Sequence, residues 1–429
     1  MSSVPERQDD ARTDTTDRPV VAVGSELGQV VREAAAALSR DPEVYERQGR
    51  LCWVPRAPQA GGPDAPPEIF EMSLAALRTR LSDVAVWKKF DGRTGQLRPC
   101  APPQRVALSV LEHRDWPGVR LLVGITETPV FRRDGTILQV PGYDDATGYL
   151  YRPSTVYPPI PERPTQHDAM RGLRELCEIY EDFPFAHGAD RYVPIAALLT
   201  VLGRSTIQGA CPAFVFDGKA PGCGKTSLVD SIATLVNARL TRPVRWPKTE
   251  AMRVRVIKTT ALAGQPLLVF DNVGRPLNSA ALSSIITAPD GHTINIRRAN
   301  RRVYAPWRTV VLATGNNVVV QAELRRRVLV ARLEPLEDRT SFRHPNLLAW
   351  VGEHRARLVA SALTILRAYA LAKEDGGVSE APGTWGSFED WYRRIPPAIV
   401  WAGGANVLDA RLAGREPDER RGAMAQPAA

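Results

Sequence analysis

One stretch constrains the fold of this chain more than any other: Gly218-Lys219-Ala220-Pro221-Gly222-Cys223-Gly224-Lys225-Thr226-Ser227. It follows an apolar run, Ala213-Phe214-Val215-Phe216, and precedes a helix-like run beginning Leu228-Val229. Strand, glycine-rich loop, Lys-Thr and helix is the order a phosphate-cradling loop requires. Gly222 and Gly224 let the backbone curl so that N–H groups face inward, and the helix N-terminus adds its positive end. Gly218, Pro221, Gly222, Cys223, Gly224, Lys225, Thr226 and Ser227 are the expected phosphate-binding set, for ATP with Mg²⁺. Lys225 would reach the outer phosphates, and the Thr226 hydroxyl would hold the metal. The pattern G-x-x-x-x-G-K-[ST] asks for glycine at 219, where Lys219 stands, so Gly218 is left to make the turn.

Further along, Pro266-Leu267-Leu268-Val269-Phe270-Asp271-Asn272 reads as a buried parallel strand ending in a carboxylate. Asp271 is the candidate second metal-site acid. Asn272 follows it, and an amide cannot serve as a base. The attacking water then needs Asp271 itself or a carboxylate from elsewhere. Thr309 to Thr314 is a second apolar strand, and Gly315-Asn316-Asn317 follows it. Asn316 and Asn317 are candidate sensors of the outer phosphate, with Asn316 favoured because it leaves the strand first. Between the two strands, His292 to Tyr304 reads as a β-hairpin. Arg297, Arg298, Arg301 and Arg302 crowd its tip around Asn300, a density suited to phosphate contact. The alternative there is a solvated hairpin. Arginines in Glu323-Leu324-Arg325-Arg326-Arg327 could reach a neighbouring subunit's nucleotide as arginine fingers. A surface arginine run is the alternative.

Bulk properties set bounds. At 429 residues the chain can form more than one core. Lys+Arg 56 against Asp+Glu 47 gives +9, a mild bias toward a polyanionic partner. The five cysteines form no C-x-x-C pair, which argues against a zinc or disulfide framework and for a reducing cytoplasm. No apolar run is long enough for a bilayer, and the polar first residues do not read as a secretory signal.

The expected organisation is α/β. Residues 1–18 are a disordered tail, 19–152 an N-terminal α+β domain and 153–164 a proline-rich linker. Residues 165–345 are the P-loop ATPase core, 346–413 a C-terminal helical region and 414–429 a flexible tail. Helices are expected at 27–38, 74–85, 105–113, 347–372 and 388–402. Short strands are expected at 44–45, 51–54, 121–123, 130–131, 137–138 and 149–151.

Taken in order, these motifs resemble the superfamily 3-like AAA+ ATPases, in particular the helicase regions of phage, plasmid and integrative-element primase-helicase proteins. Val44 to Leu51, Pro141 to Tyr149, Ser387 to Trp391 and Ile399 to Gly403 extend the resemblance over most of the chain. It implies a ring, expected to be a hexamer, that translocates on single-stranded or forked DNA, with Arg297 to Arg302 lining its channel. It also implies Asn316 as sensor and Arg326 and Arg327 as the pair offered to the next subunit. No primase motif is present in 20–150, which leaves a separate primase or polymerase as a partner. Two other readings stand beside it: an ATP-binding DNA-associated switch with little hydrolysis, motivated by Lys219 and Asn272, and a P-loop kinase.

Overall fold

The computed structural model describes residues 18–24, 26–56, 67–220, 222–240, 242–273, 276–288, 292–296, 301–305, 307–335, 341–378 and 385–413. The chain forms two compact units, Met1–Leu122 and Val123–Ala429. The division falls ahead of the proline-rich stretch that the sequence suggests as a linker. The reason is packing: Phe131, Ile137 and Ile160 belong to the main core of the second unit. Glu127 also forms a bidentate ion pair with Arg239 of that unit, at 2.6 and 2.7 Å.

The first unit contains β1 (Val20–Val23), α1 (Leu27–Ala37), β2 (Val44–Arg47), β3 (Arg50–Trp53), β4 (Phe70–Glu71), α2 (Leu74–Val84), β5 (Val86–Asp91), β6 (Gln96–Pro99), α3 (Gln104–His113) and β7 (Arg120–Leu121). Strand order is β1-β5-β6 in one sheet and β4-β3-β2-β7 in another. Val21 and Trp87 of the first sheet share a core with Val30, Ala34, Leu77, Leu81 and Val106 from the three helices.

The second unit continues with β8 (Gly124–Thr126), β9 (Val130–Phe131), β10 (Ile137–Leu138), β11 (Gly142–Asp144), β12 (Tyr149–Tyr151), α4 (Gln166–Ile179) and α5 (Tyr192–Leu202). Then follow β13 (Ala213–Gly218), α6 (Lys225–Asn237), β14 (Val244–Arg245), α7 (Glu250–Ala263), β15 (Leu267–Asp271), α8 (Ala280–Ile286), β16 (His292–Ile296), β17 (Arg301–Ala305), β18 (Val310–Asn316) and β19 (Val328–Leu333). Three helices complete it: α9 (Leu347–Glu374), α10 (Glu389–Trp401) and α11 (Leu408–Ala413).

The central sheet has the order β14-β15-β18-β13-β19, and every pairing is parallel. Its strands are apolar on both faces because both faces are covered. Phe214, Phe216, Val269, Leu312 and Leu329 point to the core made with α4, α5, α6, α9 and α10. The alternating residues Ala213, Val215, Leu268, Val311 and Val328 point to the opposite core, made with α7 and α8. Apolar on all sides, α5 is buried along nearly its whole length. Among the described residues no helix is long and apolar enough to cross a membrane.

Candidate nucleotide-binding site

The chain leaving β13 runs to the far edge at β14, and the chain leaving β18 steps past β13 to β19. The C-terminal ends of β13, β18 and β15 therefore open a crevice of the kind where open parallel sheets take ligands. All three sequence motifs meet there. Gly218 pairs with Asn316, and Phe270 pairs with Ala313, which sets Asp271 beside Thr314.

The loop is shaped for an anion. Gly222 and Gly224 have φ of 82° and 90°, values that favour glycine. Gly224 is the N-cap of α6 and supplies no side-chain cap, so the first N–H groups of this helix are open to an outside acceptor. A Cβ on Gly218 would stand 2.7 Å from Lys225 Nζ and closer still to Cys223 Sγ. The turn thus needs glycine at 218 as well. Lys225 Nζ donates to Ala220 O at 3.0 Å and to Cys223 Sγ at 3.1 Å, folding the ammonium over the loop. Cys223 is buried, Thr226 is exposed and Ser227 is half-buried. Pro221 lies outside the described residues. Lys219 turns away and pairs with Glu334 at 2.6 Å, so the departure from the glycine pattern leaves the loop interior free of its side chain.

The acid strand and the sensor strand are joined by Thr314, a residue the sequence reading passed over. Its hydroxyl donates to Asp271 Oδ1 at 2.8 Å and accepts from Asn272 N at 3.2 Å. Asn272 leaves the strand at φ 52°. Asp217, also passed over, is buried just before the loop and accepts from Val318 N at 2.8 Å. Burial raises its pKa, and the Val318 N–H works against that rise. Asn317 donates from its backbone to Gly218 O at 3.1 Å and from Nδ2 to Lys219 O at 3.2 Å. Asn316 is exposed at the strand end. Asn317 is therefore committed to bracing the loop, and Asn316 faces outward at the crevice.

Arg327 and Arg326 part company. Arg327 Nη1 donates to Ser283 O at 2.7 Å, and Nη2 pairs with Glu323 at 3.2 Å. Arg326 is exposed. The basic hairpin forms as β16 and β17, antiparallel, with Ile296 opposite Arg301 and Asn295 opposite Arg302. Arg297, Arg298 and Asn300 lie outside the described residues.

Asp190 braces the edge strand. Its carboxylate accepts from His187 N and Arg332 N, each at 3.2 Å. Burial pushes this carboxyl up to about 6. Folding thus favours its protonated form: the stabilisation is complete below the unfolded pKa of about 4 and is lost as pH rises through 6. Asp190→Asn keeps the accepting oxygen and removes the charge. It should raise stability by on the order of 2 kcal/mol at pH 8 and change it little at pH 4, which urea melts at the two values would show.

No protein-family model and no curated protein matches the chain. Among solved structures, the C-terminal region of NrS-1 is similar at 15% identity and a TM-score of 0.35, with 63% of this chain and 62% of that one covered. The chain thus spans less than two thirds of that region. The SCCmec type IV Cch active helicase is similar at 14% identity and a TM-score of 0.36, with 87% and 72% covered. At such scores these likenesses carry no weight in the functional reading, which rests on the site itself.

Proposed function

We propose that the chain is an ATP-dependent DNA translocase or helicase of the superfamily 3-like AAA+ type that works as a homo-oligomeric ring. The observation that carries this reading is the convergence of Lys225, at the start of the helix that follows β13, with Asp271 and Asn316 at the ends of the neighbouring parallel strands β15 and β18, tied by Thr314, Asp217 and Asn317. A phosphate loop alone serves many enzymes. A loop braced directly to a sensor strand and an acid strand suits a nucleotide whose outer phosphate is read as well as held.

Gly222, Gly224 and the open N-terminus of α6 would hold the phosphates, and Lys225 would turn from Ala220 O onto them. Thr226 and Asp271 would hold Mg²⁺, which when bound spreads charge away from the phosphate oxygens. Thr314 fixes the Asp271 carboxylate through Oδ1 and leaves Oδ2 for that task or for a water proton. Asn272 cannot take a proton, so the base is Asp271 or a carboxylate of a neighbouring copy. Arg326, exposed, is the finger for that neighbour's nucleotide, while Arg327 is held inside its own chain and fixes the turn that presents Arg326.

The hairpin β16-β17 would bring Arg297, Arg298, Arg301 and Arg302 to single-stranded or forked DNA. Neutralising all four should lower DNA-stimulated ATP turnover to the basal rate and leave basal hydrolysis within about twofold. With about −0.7 in salt slope per phosphate contact, the slope of DNA binding should fall by about 3. Stimulation that persists in this variant would remove the hairpin from the mechanism.

A further inference from the structure

We propose that the open face of the sheet β1-β5-β6 in the first unit is a platform for single-stranded nucleic acid, with Phe90 as its stacking residue. Strand register decides which residues share that face. Val20 pairs with Val86, Ala22 and Pro99 flank Lys88, and Phe90 pairs with Leu97. The alternating residues turn the other way: Trp87 is 3% exposed, donates from Nε1 to Leu81 O at 2.8 Å, and packs with α1, α2 and α3. Around Trp87 that face is thus filled by helices, while beyond it Lys89, Gln96 and Arg98 of the same face are exposed. On the other, Phe90 is 57% exposed, Leu97 49% and Val20 51%.

The charge on this ribbon selects the occupant. Between Val86 and Pro99 stand four cations, Lys88, Lys89, Arg93 and Arg98, against one carboxylate, Asp91. By the register Lys88 shares the face of Phe90, Lys89 and Arg98 stand opposite each other on the reverse side with Asp91, and Arg93 lies in the turn. Asp91 is already engaged, with Arg98 at 3.1 Å and with the backbone N–H of Arg93 at 3.0 Å. Gly95 N also closes on Asp91 O at 2.8 Å, so the ribbon turn is held in shape before anything binds. Among the described residues no carboxylate pairs with Lys88, Lys89 or Arg93.

A wholly apolar partner would leave these cations unmatched. A duplex offers Phe90 no unstacked base. A single strand answers both features, with a base on the exposed ring and phosphates at Lys88 beside it and at Arg93 in the adjoining turn. The sequence holds the same signal in Lys88-Lys89-Phe90, once the register shows which side is open. This platform does not depend on the nucleotide site, so the two readings fail separately.

The test uses the full chain with Arg297, Arg298, Arg301 and Arg302 changed to alanine, so that the hairpin does not contribute. Binding of labelled oligo-dT and oligo-U is followed by anisotropy, with circular dichroism as the folding control. Phe90→Ala should raise Kd about tenfold and Phe90→Tyr should restore it. Lys88→Ala with Arg93→Ala should lower the salt slope by about 1.4, whereas Lys89→Ala, on the reverse side, should change it little. Iodouracil cross-linking should mark the Phe90 peptide. Tighter binding of either oligonucleotide supports the platform and identifies its source as DNA or RNA. Unchanged Kd for Phe90→Ala, or cross-links confined to other peptides, would overturn it. So would loss of self-association in Phe90→Ala at unchanged oligonucleotide affinity, because the face would then join two copies of the chain.

Discussion

Lys225→Ala is expected to cut ATP turnover at least about a hundredfold while the protein stays folded. The two halves of that expectation have separate causes. Lys225 opens α6 and, among the described residues, donates only to Ala220 O and Cys223 Sγ, both within the loop. Those contacts tie the ammonium to the turn, and Cys223 is held in the core by its own burial rather than by this donation to sulfur, so the melting temperature should move by little. Turnover depends on a cation at the place where phosphate charge grows, inside a loop whose other groups are backbone N–H donors. Lys225→Arg should fail almost as badly, because Nζ is folded against Ala220 O and Cys223 Sγ inside the loop, where a planar guanidinium is wider than the compact ammonium. Steady-state turnover and a thermal melt on the same samples check both halves.

The largest stability effect is expected at Arg355, far from the loop in sequence and joined to it through α6. Arg355 is 3% exposed on α9. Its Nε donates to Leu235 O at 3.0 Å and its Nη2 to Val236 O at 3.2 Å. These carbonyls belong to the last turn of α6, where a helix has acceptors without internal partners and where its dipole favours a cation. Nη1 donates to Ser154 Oγ at 3.0 Å, and the guanidinium stands 5.4 Å from the Tyr157 ring centroid. Burial lowers the pKa of this guanidinium, partly offset by Tyr157 and Glu127. Arg355→Ala would orphan two buried carbonyls and leave a cavity, at a cost of about 3–5 kcal/mol. Chemical denaturation measures it. Because α6 carries the phosphate loop at its other end, nucleotide affinity should weaken in the same variant below the unfolding midpoint.

Much of this was legible in the sequence. The phosphate loop, the strand ending at Asp271 and the strand ending at Gly315-Asn316 all lie where their patterns place them, because continuous apolar runs bounded by polar turns leave few other solutions. The helix expected at 347–372 is found at Leu347–Glu374, and the hairpin expected around Asn300 forms as β16 and β17. What escaped was of three kinds. Tyr192–Leu202 is apolar on every side, and such a run gives no period by which to tell a buried helix from a strand. β5 and β6 escaped because lysines, an arginine and a proline, spread over both faces, break the apolar alternation. Thr314, Asp217 and the bracing role of Asn317 depend on which strands are neighbours, which no local pattern specifies. Thr314 did leave a trace, as a polar residue at the end of an apolar strand directly before Gly315-Asn316.

The measurement that bears most directly on the motor is ATP turnover by the wild-type chain, with and without single-stranded DNA, over a wide range of protein concentration. A ring that completes its sites with Arg326 of a neighbour should give turnover that rises with DNA and grows faster than linearly with protein. Turnover that ignores DNA and stays strictly proportional to protein would contradict the motor and leave a nucleotide-binding switch in its place.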